Sequence, residues 1–139
     1  MTKCIPSKVL FIDLSDRSFH MENRPELFEK YLGGTGVGIH LLLERCKPGV
    51  DPLKPDNVII FAVGPLTGLF PMASKTVALF KSPLTGNLGE SHAGGRSAVA
   101  IRSAGYGAIV IEGSSETPIY LSIDQNNARF RDGATFWGM

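Results

Sequence analysis

The chain contains no apolar run approaching the ~20 residues that a membrane-spanning helix needs. Its formal net charge is only +1, which leaves no electrostatic footprint for nucleic acid or an anionic membrane. The first seven residues carry one lysine and no long apolar stretch, so they do not read as a secretory signal. A cytoplasmic protein is the default expectation. Cysteine is scarce: Cys4 and Cys46 lie far apart and form no Cys-x-x-Cys pair, and His20, His40 and His92 are scattered. Two reduced thiols are the expected state in a reducing compartment, and no metal site can be assembled from these spacings.

Hydrophobic residues make up 43% of the chain and charged residues 19%, within the range of ordinary globular domains. At 139 residues it is long enough to bury a core as one domain. Glycine is the excess: sixteen residues, clustered rather than dispersed. Clustered glycines mark backbone with positive φ or close approach of another group.

The elements follow from local pattern. Lys8–Leu14 and Ser18–Glu22, separated by Ser15-Asp16-Arg17, read as a β-hairpin. Pro25 opens a helix that Gly33-Gly34 are expected to close, and a second helix is expected over about Gly38–Cys46. Val58–Val63 and Thr76–Lys81 read as strands, with a short one at Leu88–His92 and a helix over Ser97–Ala104. Ala108–Glu112, Ile119–Asp124 and Ala128–Arg131 complete the strands, the last two joined at Gln125-Asn126-Asn127. About seven strands and three helices that do not alternate as βαβ units predict an α+β fold. One turn motif occurs twice, as Gly64-Pro-Leu-Thr-Gly68 and Ser82-Pro-Leu-Thr-Gly86. Either the two are similar loops at strand ends, or both line one face and meet a ligand.

Two glycine clusters invite a site. The first, Gly33-Gly34-Thr35-Gly36-Val37-Gly38, follows a helix rather than a strand and lacks the dinucleotide spacing, and Asp56 lies in a proline-rich loop. It reads as a tight helix–loop–helix connection whose N–H groups could also face an anion. The second, Ser91-His92-Ala93-Gly94-Gly95-Arg96, places a Gly-Gly turn before a helix, with the planar Arg96 guanidinium beside it. Together with Lys75 it reads as a phosphate seat, against the plainer alternative of a β–α connection with a surface arginine. At His92 the backbone carbonyl, left approachable by glycine neighbours, is a better ligand than the ring.

The motifs YLGGTGVG (31–38), GVDPLKPDN (49–57), FAVGPLTG (61–68), KSPLTG (81–86), HAGG (92–95) and AGYGAIVIEG (104–113), with PIYLSID (118–124) and ATFWG (134–138), are collinear. In that order they resemble the N-terminal domain of the aldehyde ferredoxin oxidoreductase family. The resemblance implies a parent enzyme that oxidises aldehydes to carboxylic acids and passes the electrons to ferredoxin. It implies tungsten, or occasionally molybdenum, held by two pterins above this domain, a magnesium ion bridging the pterin phosphates, and a 4Fe–4S cluster. The family's Asn-Ser-Gly-Gly segment, whose backbone carbonyl helps hold the magnesium, corresponds to His92-Ala93-Gly94-Gly95. Magnesium takes oxygen ligands, so a carbonyl contact survives the change from Asn to His. The cofactor floor expected from the resemblance is therefore Lys75, Ser91, His92, Ala93, Gly94, Gly95 and Arg96.

Departures from the family pattern are Thr35 and Lys75 where arginine is usual, Arg96 where an aromatic is common, and Ala100 at an acidic position. They imply a divergent branch, or a binding or assembly module that has lost the cofactor. The family's cluster cysteines and later domains have no counterpart here. Residues 1–139 are thus expected to be one piece of a longer enzyme, inactive alone, with the remaining domains, ferredoxin and an aldehyde-type substrate as partners. Family members are often dimers, so a homodimer is also implied.

Overall fold

A computed structural model of the chain describes residues 6–139, so Cys4 lies outside the described residues. Strand β1 (Lys8–Asp13) pairs antiparallel with β2 (Ser18–Asn23). Their turn is held by Asp13, whose carboxylate accepts from the N–H of Ser15 at 2.8 Å and of Asp16 at 3.3 Å. Four consecutive residues of β1 are buried, as expected of a strand covered on both faces. Its second neighbour is the parallel strand β6 (Tyr106–Glu112). With β3 (Ile59–Val63), β4 (Thr76–Lys81) and β5 (Leu88–Ala93), these form one mixed sheet in the order β2-β1-β6-β3-β4-β5. A separate hairpin, β7 (Ile119–Ile123) and β8 (Ala128–Asp132), brings the strands to eight rather than seven. The α+β class is as expected.

One face of the sheet is covered by α1 (Pro25–Tyr31) and α2 (Gly34–Arg45), whose Leu27, Phe28, Val37 and Leu41 pack on Val9, Ile60, Leu79 and Val110. The other face carries α3 (Ser97–Ser103) and the β7–β8 hairpin, packed on Leu10, Ile12 and Ile109. Tyr106 fastens the hairpin: fully buried, its hydroxyl lies 2.9 Å from the Asp124 carbonyl and 3.1 Å from that of Gln125. Burial first, and the charge of Asp124 second, raise its pKa above the usual phenol value.

Two expectations are corrected by this architecture. The glycine cluster is not a loop: α2 starts at Gly34, four residues before the expected Gly38, and the connection shrinks to Leu32 and Gly33. The left-handed position that closes α1 belongs to Leu32, with φ of 65°, whose N–H returns to the Phe28 carbonyl. Within α2 the glycines are there for lack of bulk. A Cβ on Gly36 would stand 2.9 Å from the Tyr31 carbonyl oxygen, and one on Gly38 would collide with Leu79 of β4. They let the helix lie close against its neighbours.

The second correction concerns the repeated turn. β3 and β4 are antiparallel, with Val63 opposite Thr76. Gly64–Gly68 therefore leaves the sheet at the end where β4 begins, and Ser82–Gly86 at the end where β4 finishes. Six residues of strand, roughly 20 Å, separate them. The two loops share a turn chemistry and cannot share a ligand.

Candidate functional site

At one end of the sheet β3 stops, β4 starts and β5 stops. Residues 64–75 cross it as consecutive turns: Thr67 N–H donates to the Gly64 carbonyl at 3.2 Å and Leu69 N–H to that of Leu66 at 3.0 Å. Gly68, at φ of 70°, donates to the Ser74 hydroxyl at 3.1 Å. Leu66, Leu69, Phe70 and Met72 stand exposed along this loop, an unusual concentration of large apolar side chains for a surface turn. α3 braces it, since the Arg102 guanidinium donates to the Pro65 carbonyl at 3.0 Å. Thr76 and Ser97 hydroxyls meet at 2.8 Å and fix the start of α3 to β4.

The start of α2 abuts this loop. Gly33 has φ of 114°, and a Cβ there would stand 2.8 Å from the Val63 carbonyl oxygen, so only glycine lets the helix begin so close to the end of β3. No side chain caps α2 and its first turn holds no acid. Thr35 Oγ1 donates to Glu90 Oε1 at 2.8 Å, and His92 Nε2 lies 2.6 Å from the same oxygen. Glu90 and His92 share a face of β5 because side chains alternate along a strand. The Thr35 hydroxyl first, and His92 second, hold the Glu90 carboxyl below the ordinary carboxylate range.

Between these elements lies a cavity of about 350 Å³, lined by Gly34, Thr35, Gly64, Thr67, Met72, Ala73, Lys75, Val77 and His92. Lys75 enters it as an exposed cation with no ion-pair or hydrogen-bond partner among the described residues. The structure thus brings together Lys75 and His92 of the expected floor. It does not bring in the rest. Ser91 and Ala93 lie on the opposite face of β5, opposite Ala78 and Thr76. Gly94 and Gly95 form the exposed turn after β5, and Arg96 precedes α3, which is only seven residues long. Among the described residues Arg96 also has no partner. These residues form a rim beside the cavity.

Thr35, Thr67 and Glu90 are site residues that sequence reasoning missed. Glu90 could have been found from its two-residue spacing to His92 on a strand. Thr67 belonged to a recognised turn, but its burial depends on neighbours that no local pattern reveals.

The sheet order, the glycine-tightened start of α2 and the corner at Lys75 and His92 belong to one α+β domain. The family model described as the aldehyde ferredoxin oxidoreductase N-terminal domain matches residues 9–139, and the chain belongs to that family. The tungsten-containing aldehyde ferredoxin oxidoreductase of Pyrococcus horikoshii is 39% identical over 133 residues, covering 94% of this chain and 22% of that protein. The aliphatic sulfonate oxidoreductase WOR-like subunit of Pyrococcus furiosus is 32% identical over 136 residues, 95% of this chain and 22% of that one. Among solved structures, the active-site complex BamBC of benzoyl coenzyme A reductase with 1,5-dienoyl-CoA superposes with a TM-score of 0.88 at 33% identity. It covers 97% of this chain and 21% of that one. The chain therefore spans about a fifth of the length of the relatives it matches.

Proposed function

We propose that residues 1–139 form the N-terminal cofactor-seating domain of a longer cytoplasmic tungsten (or molybdenum) bis-pterin oxidoreductase. The parent oxidises aldehydes to carboxylic acids with ferredoxin as acceptor, and this chain alone is inactive. Two relatives named as tungsten-containing aldehyde ferredoxin oxidoreductases, 39% and 41% identical over 133 residues each, support the reaction. The observation that carries the reading is the open corner itself. Lys75 and Arg96 are cations that the fold does not use, beside an exposed His92–Gly95 segment that runs off the end of the sheet's edge strand β5 into the following turn. Unspent cations and approachable backbone fit a group that brings phosphates and oxygen-seeking magnesium.

When bound, the tungsten–pterin group supplies the two-electron redox chemistry. The residues of this chain would bind and orient it: Lys75 and Arg96 would meet its negative charge, and the His92 carbonyl would offer an oxygen to a magnesium ion bound with it. Among the described residues no group of three or more His, Cys, Asp or Glu could hold a metal, and Cys46 is a free thiol at the end of α2. In this reading the parent's 4Fe–4S cluster belongs to its other domains, whose packing would cover the exposed Leu69, Phe70 and Met72. Among the described residues no helix is long and apolar enough to cross a membrane.

Elemental analysis of the intact parent, purified anaerobically, tests the reading: tungsten or molybdenum near stoichiometric with protein is expected, and the absence of both sinks it. The likeness to benzoyl coenzyme A reductase favours a second reading of the substrate, in which the same floor serves a parent acting on an aromatic thioester. Turnover assays of the parent with aldehydes and with aryl-CoA thioesters separate the two.

A further inference from the structure

We infer that a second cleft, at the opposite end of the sheet from the Lys75 corner, binds a small organic oxyanion, a carboxylate or phosphate carried on an apolar body. β1 and β6 run parallel and finish side by side at Asp13 and Glu112. β3 runs antiparallel to β6, so Val63 and its partner Thr76 lie at the other end. The turn after β1, the start of β7 and the end of β8 line a cavity of about 420 Å³. A space of that size suits a small molecule. It shares no lining residue with the Lys75 cavity.

Two arginines line this cleft. Arg17 holds φ of 50°, a left-handed conformation that favours glycine or asparagine. One of its N–H groups donates to the Thr117 hydroxyl at 3.4 Å, a tie across one hundred positions that draws the guanidinium to the cleft wall. Its other guanidinium donors, and all those of Arg131, have no partner among the described residues. The single acid in the lining, Asp132, is already engaged, its carboxylate accepting from the Ala134 N–H at 2.9 Å. Among the described residues no ion pair answers either guanidinium, and two positive charges share one cavity.

Pro118, Ile119 and Phe130 give the same cavity an apolar wall. The strand ends that carry these groups are pinned to each other. The Gly133 N–H donates to the Pro118 carbonyl at 2.8 Å, and a Cβ on Gly133 would stand 3.1 Å from the Ile119 backbone. Planar guanidiniums match the oxygens of a carboxylate or phosphate in pairs, and the apolar wall favours a hydrophobic body over a bare ion. Recognition needs both parts.

The test is a titration of the ¹⁵N-labelled chain with sodium benzoate at constant ionic strength, followed by amide chemical shifts. The largest shifts are expected at Thr117, Ile119, Arg131 and Ala134. Arg17→Ala and Arg131→Ala are each expected to weaken apparent affinity about tenfold. Arg131→Lys should weaken it about threefold, since an ammonium keeps the charge and loses the planar fork. Unchanged amide spectra away from the cleft show that each variant is folded. Acetate and inorganic phosphate, which lack the apolar body, are expected to bind about tenfold more weakly than benzoate. Phenyl phosphate identifies the head group: binding tighter than benzoate assigns the cleft to a phosphate, and weaker binding assigns it to a carboxylate. Four results overturn the inference: no shifts with either aromatic anion, shifts centred on Lys75 and His92, acetate binding as well as benzoate, or both alanine variants binding like the original chain. None of these readouts depends on whether the parent contains tungsten.

Discussion

Strand β4 has a lysine at each end and a Pro-Leu-Thr-Gly turn beyond each, yet the two ends have opposite fates. The final glycines of the turns are alike, with φ of 70° at Gly68 and 71° at Gly86. At the far end Lys81 is spent on the fold, its ammonium donating to the Val50 carbonyl. Asn57 closes that end further. Its amide donates to the carbonyls of Pro52 at 2.8 Å and Lys81 at 2.9 Å, while its oxygen accepts from the N–H groups of Val58 and Lys81. At the near end Lys75 is exposed and has no ion-pair or hydrogen-bond partner among the described residues. One motif thus stands beside a lysine the fold uses in one place and beside a lysine it leaves to solvent in the other. The difference lies in what the neighbouring chain satisfies, not in the motif.

The latched end should break hardest. Asn57→Ala removes four hydrogen bonds and strands both backbone groups of Lys81, so a loss of about 2–3 kcal/mol in urea unfolding is expected. Gly33→Ala attacks the open end through backbone strain and a clash with Val63, with an expected cost of about 2 kcal/mol. The two lysines give the direct contrast. Lys81→Ala is expected to cost about 1 kcal/mol. Lys75→Ala should stay within about 0.5 kcal/mol, as befits a side chain the fold does not use. Equal losses in chemical denaturation would break the comparison.

Acid titration gives the smallest effect. The folded Glu90 carboxyl is held below its ordinary range by Thr35 and then His92, so the unfolded chain takes up that proton more readily. Its contribution is present in full above the ordinary glutamate pKa of about 4.3 and is lost as pH falls through the lower folded value. Glu90→Gln should therefore flatten the acid limb of a melting-temperature profile slightly and leave the neutral region unchanged.

Much of the fold was legible in local pattern. Thr76–Lys81 was read to the residue, and the other strands to within two, because alternation and turn residues are local properties. The glycine cluster was misread because glycine looks the same in a sequence whether it frees the backbone or makes room for a neighbour. Gly38 makes room for Leu79, forty-one positions away. The paired turns were thought able to converge because a turn motif encodes the bend and not the direction in which the strands run. At the site, Lys75 and His92 were legible and do meet. Ser91 and Ala93 fell on the other face by the alternation of one strand, and Gly94, Gly95 and Arg96 remained on the rim. Thr67 stayed hidden, since the burial of a turn residue is visible only once its neighbours are placed.

The pairing of β1 with β6 has a consequence for the order of events on the ribosome. β1 sits inside the sheet, between its own hairpin partner and a strand that begins almost one hundred residues later. Until Tyr106–Glu112 has emerged, β1 has only β2 as a strand neighbour, and its second edge is unpaired. Closing so long a loop makes sheet completion slow relative to local helix formation. The nascent hairpin is therefore the segment most exposed to mispairing during synthesis, and the one a chaperone would be expected to shield.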